Sequence, residues 1–219
     1  MFKKKSKYVL FITLIFLIIP SVLSGCARFD KTAYVQAALD SIYKGDHLKF
    51  SEITGTDIAT LETNYSEAIS AETGSFLNYI GIGDYADMVS ADVKKEISYL
   101  LKQIYKHTSY SVGEQDSSGN IPVKLLPVSL YSLSGDKITA YMQDFFDKND
   151  KGEFASLSDE EFYSRYAKGI LDIVSGSLSS ISYSNEVTVS VTITRDGTAY
   201  SISPESFAEI DKVILDYTM

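Results

Sequence analysis

Apolar residues recur at three-to-four spacing along most of this chain and switch to strict alternation in a few short segments. The two periods predict helices and strands in a definite order. Asp30 to Gly45 predicts a first helix, with Tyr34, Val35, Ala38, Leu39 and Ile42 on its apolar side and Gly45 as its stop. Thr56 to about Ile80 predicts a longer, more polar helix carrying Leu61, Tyr65, Ile69, Phe76 and Tyr79, with Gly74 as a point of interruption. Gly81 to Asp84 reads as a loop. Ser90 is placed to cap a third helix that carries Val93, Ile97, Leu100, Leu101 and Ile104.

The period then changes. Ser109 to Gln115 alternates around Tyr110 and Val112, Asp116 to Asn120 is a turn, and Ile121 to Leu133 predicts a strand that contains Pro122 and Pro127. Proline brings no ladder donor, so this strand is expected at a sheet edge or bulged near Pro127. The side-chain phase slips there, from Val123 and Leu125 to Val128 and Leu130, as a bulge requires. Ile138 to Lys148 is again helical, and Ser158-Asp159-Glu160-Glu161 is a capping box opening a helix to about Leu178. Val187, Val189, Val191 and Ile193 alternate with polar residues as a strand. Asp196-Gly197 is a hairpin turn, and Thr198 to Ile202 is the return. Ser203-Pro204 opens a last helix through Phe207, Ile210, Val213 and Ile214.

This order predicts an α+β fold with helices packed on an antiparallel sheet. Helices followed by a strand pair occur twice, and Thr32-Ala33-Tyr34-Val35-Gln36 is echoed by Thr139-Ala140-Tyr141-Met142-Gln143. Two similar halves, 30–135 and 136–219, sharing one sheet are the expected architecture; a single irregular α+β domain is the alternative.

Ahead of the first helix the pattern is different. Lys3, Lys4, Lys5 and Lys7 form a positive start, Tyr8 to Leu23 is apolar apart from Thr13 and Ser21, and small residues precede Cys26. That is the layout of an export signal over residues 1–25. The apolar stretch before Pro20 is shorter than the roughly 20 residues a spanning helix needs. Leu23-Ser24-Gly25-Cys26 resembles a lipobox, the processing signal of bacterial lipoproteins. The resemblance implies cleavage before Cys26 and a diacylglyceryl lipid, with palmitate-like chains, on its thiol. Residues 26–29 would then be the lipidated N-terminus and a short tether. Each buried methylene contributes about 0.8 kcal/mol, so two long chains anchor a protein stably where one does not.

Charge and composition narrow the function further. The chain holds 20 Lys+Arg and 29 Asp+Glu, and residues 1–25 contain four of the lysines and none of the acids, so the segment from Cys26 carries a net charge of −13. Such a surface argues against nucleic acid as a partner, which needs a basic face, and against electrostatic adhesion to anionic lipid. Cys26 is the single cysteine, so its lipidation removes disulfides, thiol catalysis and thiolate metal sites. The 16 tyrosines and absence of tryptophan suit half-buried surfaces with a wet hydroxyl end.

Few residues invite chemistry. His47 and His107, each at or near a helix end, lack any H-E-x-x-H context. Asp147 to Phe154 matches part of a calcium loop, but Lys151 stands where an oxygen ligand belongs and Ser158 where a bidentate glutamate is needed. No nucleophile elbow, phosphate loop or dinucleotide glycine run is present. Catalytic residues, metal ligands and cofactors are therefore assigned to none. Tyr34, Tyr99, Tyr105, Tyr110, Tyr131 and Tyr141 fall on or beside predicted apolar faces and are the candidates for a ligand groove.

The lipobox, the helix Tyr34 to Asp46 ending in Lys-Gly-Asp, and the strand pair around Tyr110 and Pro127 resemble small, uncharacterised cell-envelope lipoproteins of Gram-positive bacteria. That resemblance implies an extracytoplasmic location on the cell membrane and no known catalytic residues. A cystatin-like arrangement of helices on a curved sheet is an analogy for the fold. The expected function is a membrane-anchored, non-enzymatic domain binding a small ligand or an envelope protein. The alternative is an envelope hydrolase acting on wall or sugar polymers through carboxylates.

Overall fold

A computed structural model describes residues 29–197 and 199–217, with side chains throughout except at 131–133. The export signal, Cys26 and the rest of the lipobox lie outside the described residues. The helical elements are α1 (Lys31–Leu39) continuing into a π turn (Asp40–Lys44), α2 (Leu48–Thr54), α3 (Ile58–Tyr79), a 3₁₀ turn (Gly83–Met88), α4 (Ala91–Lys106), α5 (Leu130–Asp150), α6 (Asp159–Ser177) and α7 (Pro204–Ile214). The strands are β1 (Ser109–Val112), β2 (Ile121–Leu126), β3 (Val128–Ser129), β4 (Val187–Val191), β5 (Ile193–Asp196), β6 (Ala199–Ile202) and β7 (Leu215–Asp216). The fold is α+β, as the hydrophobic pattern predicts.

The chain divides into two compact units that interleave along the sequence. The first takes 29–68, Thr108–Pro127 and Asn185–Leu215; the second takes Ile69–His107, Val128–Ser184 and the residues from Asp216. The observed division therefore does not fall at 135–136, since each unit draws on both sides of that point.

The first unit carries an antiparallel sheet in the order β1-β2-β4, with Val123 opposite both Val112 and Val189. Alternation along the strands sorts the two faces. Ile121, Val123, Leu125, Val189 and Val191 are all 5 % exposed or less, while Lys124, Thr188 and Ser190 face out. α7 packs on β4 and β2, and α1 packs on β1.

Pro122 lies in β2, the central strand, and not at an edge. Its carbonyl accepts from Gly113 N at 2.8 Å, so its missing donor faces the frayed end of β1. The Gly113 carbonyl takes a hydrogen bond from the Thr32 hydroxyl at 3.3 Å instead. A central proline is tolerated here because β1 ends at Val112.

Two further expectations are corrected. The strand expected over 121–133 stops at Ser129, and the phase slip at Pro127 marks a change from strand to helix: α5 begins at Leu130. The single strand expected through Ile193 breaks at Thr192. There the backbone N–H donates to Ser206 Oγ at 3.0 Å and the carbonyl accepts from Ser203 N at 2.8 Å, so the start of α7 takes both groups from the ladder. β5 then pairs with β6 as a separate ribbon, turning at Gly197 with φ 58°. β4 joins β1 and β2, so strands from both sides of residue 135 share one sheet, and the echoed pentapeptides fall in α1 of the first unit and α5 of the second.

The second unit is largely helical. α6 packs against α5, α4 and the 3₁₀ turn. Tyr166 is its largest fully buried side chain, and its hydroxyl donates to the Ile80 carbonyl at 2.9 Å. Ser90 caps α4, and the Ser158–Glu161 capping box opens α6. Gly74 does not interrupt α3, which is continuous to Tyr79.

Candidate functional site

α4 presents two stripes. One buries Val93, Ile97, Leu100, Leu101 and Ile104. The other, at 94, 95, 98, 99 and 102, lines an open groove of about 580 Å³ in the second unit. The opposite wall is α3, through Ser70, Thr73, Gly74 and Leu77, and Ala86 closes one side. Lys94, Lys95 and Lys102 line it, and among the described residues no aspartate or glutamate does, in a chain of net charge −9.

The walls meet through hydroxyls. Thr73 Oγ1 lies 2.9 Å from Ser98 Oγ, and the two also sit within hydrogen-bond distance of the Ile69 and Lys94 carbonyls. Each hydroxyl has one proton. Those protons are spent on each other and on the backbone, so the pair offers lone pairs to a ligand. Tyr99 stands beside them 67 % exposed. Of the acids of the same helix, Asp92 lies 3.4 Å from the groove's Lys95, and Glu96 pairs with Lys168 of α6.

Next to Thr73, Glu72 points away from this surface into a buried cluster. Tyr217 donates its hydroxyl to Glu72 Oε1, and Tyr79 packs on Tyr217 with centroids 5.3 Å apart. Burial pushes the Glu72 carboxyl above its ordinary pKa, opposed by hydrogen bonds from Tyr217, Ser75 and Tyr105.

The first unit holds a second polar cluster, on the π turn. Tyr110 donates to Asp40 Oδ1 at 2.8 Å, Gln36 Nε2 donates to Oδ2 at 2.7 Å, and Lys44 Nζ lies 3.1 Å from Oδ1. Lys44 also sits 4.2 Å from the Tyr110 ring centroid. Burial would raise the Asp40 pKa, but these donors and the Lys44 charge outweigh it and hold the carboxyl below its ordinary value. Burial and the bonded Asp40 carboxylate push the Tyr110 phenol strongly up. Both groups are thus locked in place, which suits tying α1 to β1 better than proton transfer.

The six tyrosines predicted to line a groove have different surroundings. Tyr99 lines the groove described above. Tyr34 is 4 % exposed and donates to the Tyr200 carbonyl at 2.9 Å; Tyr105 is 5 % exposed. Tyr110 serves Asp40, and Tyr141 donates to the Arg165 carbonyl at 3.1 Å. The Tyr131 side chain lies outside the described residues. The lysine stripe is absent from the sequence-based candidates; its signal is the row of polar residues at four-residue spacing on α4.

Both histidines are structural. His47 Nδ1 lies 2.8 Å from Ser41 Oγ in a buried pocket, edge-on to Tyr65. His107 caps α4, and its carbonyl accepts from the Tyr183 hydroxyl at 2.9 Å. The calcium-loop segment is the end of α5: Glu153 N bonds to the Lys148 carbonyl and Gly152 N to the Asn149 carbonyl, with Gly152 at φ 79°. That is a Schellman cap. Among the described residues no group of three or more His, Cys, Asp or Glu could hold a metal ion, and no helix is long and apolar enough to cross a membrane.

Comparison with protein-family models and with curated proteins finds no match. Among solved structures, the fold is similar to the crystal structure of a "putative lipoprotein" (YcdA) from Bacillus subtilis subsp. subtilis str. 168, with TM-score 0.59 and 20% identity. The likeness covers 84% of this chain and 56% of that one, so the chain spans little more than half of that structure's length, and what the two share is the fold.

Proposed function

We propose that this chain is an extracytoplasmic binding domain, anchored to the membrane by lipid on Cys26 and using the α3–α4 groove as its ligand site. The observation that carries the binding role is the lining of the groove: lysines, hydroxyls and an exposed ring, with no carboxylate among the described residues. A retaining or inverting glycosidase needs two carboxyl groups about 5 to 9.5 Å apart across its substrate. The groove offers none, which favours binding over hydrolysis.

The anchoring role is supported by the lipobox at Leu23 to Cys26 and by the fold shared with a protein described as a lipoprotein. Phe29 stacks on Tyr200 with centroids 3.9 Å apart. The chain from Cys26 to Phe29 reaches at most about 11 Å, so the first unit is held close to the bilayer.

Membrane fractionation of wild type and Cys26→Ala tests the anchor. The wild type is expected with the membrane and the variant in the soluble fraction; retention of the variant would defeat the lipid reading. Release of reducing ends from wall polysaccharide by the purified protein would defeat the non-enzymatic one.

A further inference from the structure

The charge pattern of the groove identifies a class of ligand. Lys94 and Lys102 are eight residues apart on α4, which at 1.5 Å per residue separates their backbones by about 12 Å. A single phosphate or carboxylate meets both only if the two side chains bend toward each other along the helix. A linear ligand with charges at intervals meets both without that, and the open groove lets it run along the helix.

The lysines would pair with phosphate or carboxylate alike, and two observations favour a sugar- or polyol-phosphate chain over an acidic peptide. The Thr73–Ser98 pair offers lone pairs, which accept from ligand hydroxyls. Tyr99 presents an exposed ring whose negative face attracts the C–H bonds of a sugar or polyol.

Gly74 adds an independent sign. Glycine inside a helix costs about 1 kcal/mol relative to alanine. A Cβ at Gly74 would meet nothing within 4 Å, so packing gives no reason for the residue. It lies on the groove wall, where a missing side chain leaves room for an occupant.

We propose that the α3–α4 groove binds a linear anionic polymer of sugar- or polyol-phosphate repeats, with Lys94 and Lys102 meeting successive phosphates and Tyr99 and Ser98 meeting the segment between them. This deepens the binding-domain reading and rests on it.

The test is titration of the full-length protein in neutral detergent with poly(glycerol phosphate) oligomers, poly-L-glutamate and inorganic phosphate. The glycerol phosphate oligomers are expected to bind, inorganic phosphate to bind far more weakly, and affinity to fall steeply with salt. Lys94→Glu and Lys102→Glu should each weaken binding at least about tenfold, a loss of about 1.4 kcal/mol. Gly74→Leu should abolish binding without lowering the melting temperature. Poly-L-glutamate binding as tightly, and lost in Gly74→Leu, would overturn the ligand class while leaving the groove as the binding site. Absence of any binding that Gly74→Leu removes would overturn both.

Discussion

Gly169 on α6 lies so close to the ring of Tyr141 on α5 that a Cβ built there would stand 2.2 Å from the tyrosine Cζ. The ring would have to swing aside and give up its hydrogen bond to the Arg165 carbonyl. Gly169→Ala is therefore expected to cost about 1 kcal/mol, the strain and lost bond exceeding the gain in helix propensity. In a Tyr141→Ala background the same change should stabilise. At Gly74, where the space is open, Gly→Ala should raise stability by up to about 1 kcal/mol. Urea denaturation of these variants measures the coupling, and equal effects of Gly169→Ala in both backgrounds would refute the contact.

The buried Glu72 carboxyl makes a prediction about pH. Its folded pKa is raised by burial, so the folded protein binds its proton more tightly than the unfolded chain does. The stability this contributes is present below the unfolded pKa of about 4.5 and is lost as pH rises through the folded value. Glu72→Gln keeps an acceptor for the Tyr217 hydroxyl and removes the charge. The variant is expected to melt higher than wild type at pH 8, with the difference shrinking toward pH 4.5. A lower melting temperature at pH 8 would show that the charged form is the one the cluster stabilises.

Helix starts are legible in the sequence because capping is local. Asp30, Ser90, Ser158 and Ser203 each accept from a backbone N–H three residues on, and each is readable from its own type and the apolar spacing of the helix it opens. α2 escapes that reading, although Gly45 and Gly55, both left-handed, bracket it. The change from strand to helix at Leu130 is hidden because a short apolar run fits either period. Strand partners are not legible at all: β2 finds β4 more than 60 residues away, a pairing that alternation within a strand does not specify. The groove shares that fate. Its α4 row is visible as a polar stripe, but Thr73 joins it from 25 residues upstream through packing alone.

Calcium should leave the protein unchanged. Asp147 and Asn149 are two residues apart on one helix, so their side chains point in different directions and cannot converge on an ion. The positive charge of Lys151 lies just beyond them. Melting temperatures in millimolar calcium and in chelator are expected to agree, and a clear upward shift with calcium would mean that this helix end rearranges into a loop.

His47 sets the opposite pH slope to Glu72, in a different window. Burial disfavours the imidazolium, against the attraction of Glu62 and Asp46, and the folded pKa falls below its ordinary value of 6.5. The folded protein then binds fewer protons than the unfolded chain in this range, so stability rises with pH. The contribution is whole above about 6.5 and is lost as pH falls through the folded value. His47→Gln keeps a hydrogen-bonding partner for Ser41 Oγ and does not titrate. Wild type should lose more stability than the variant between pH 7.5 and 5.5, because only wild type must carry a buried charge as protons arrive. Measuring the variant against wild type at each pH cancels the carboxylates common to both. Parallel stability curves across that interval would mean that the buried ring accepts its proton as readily in the folded protein as in the unfolded chain.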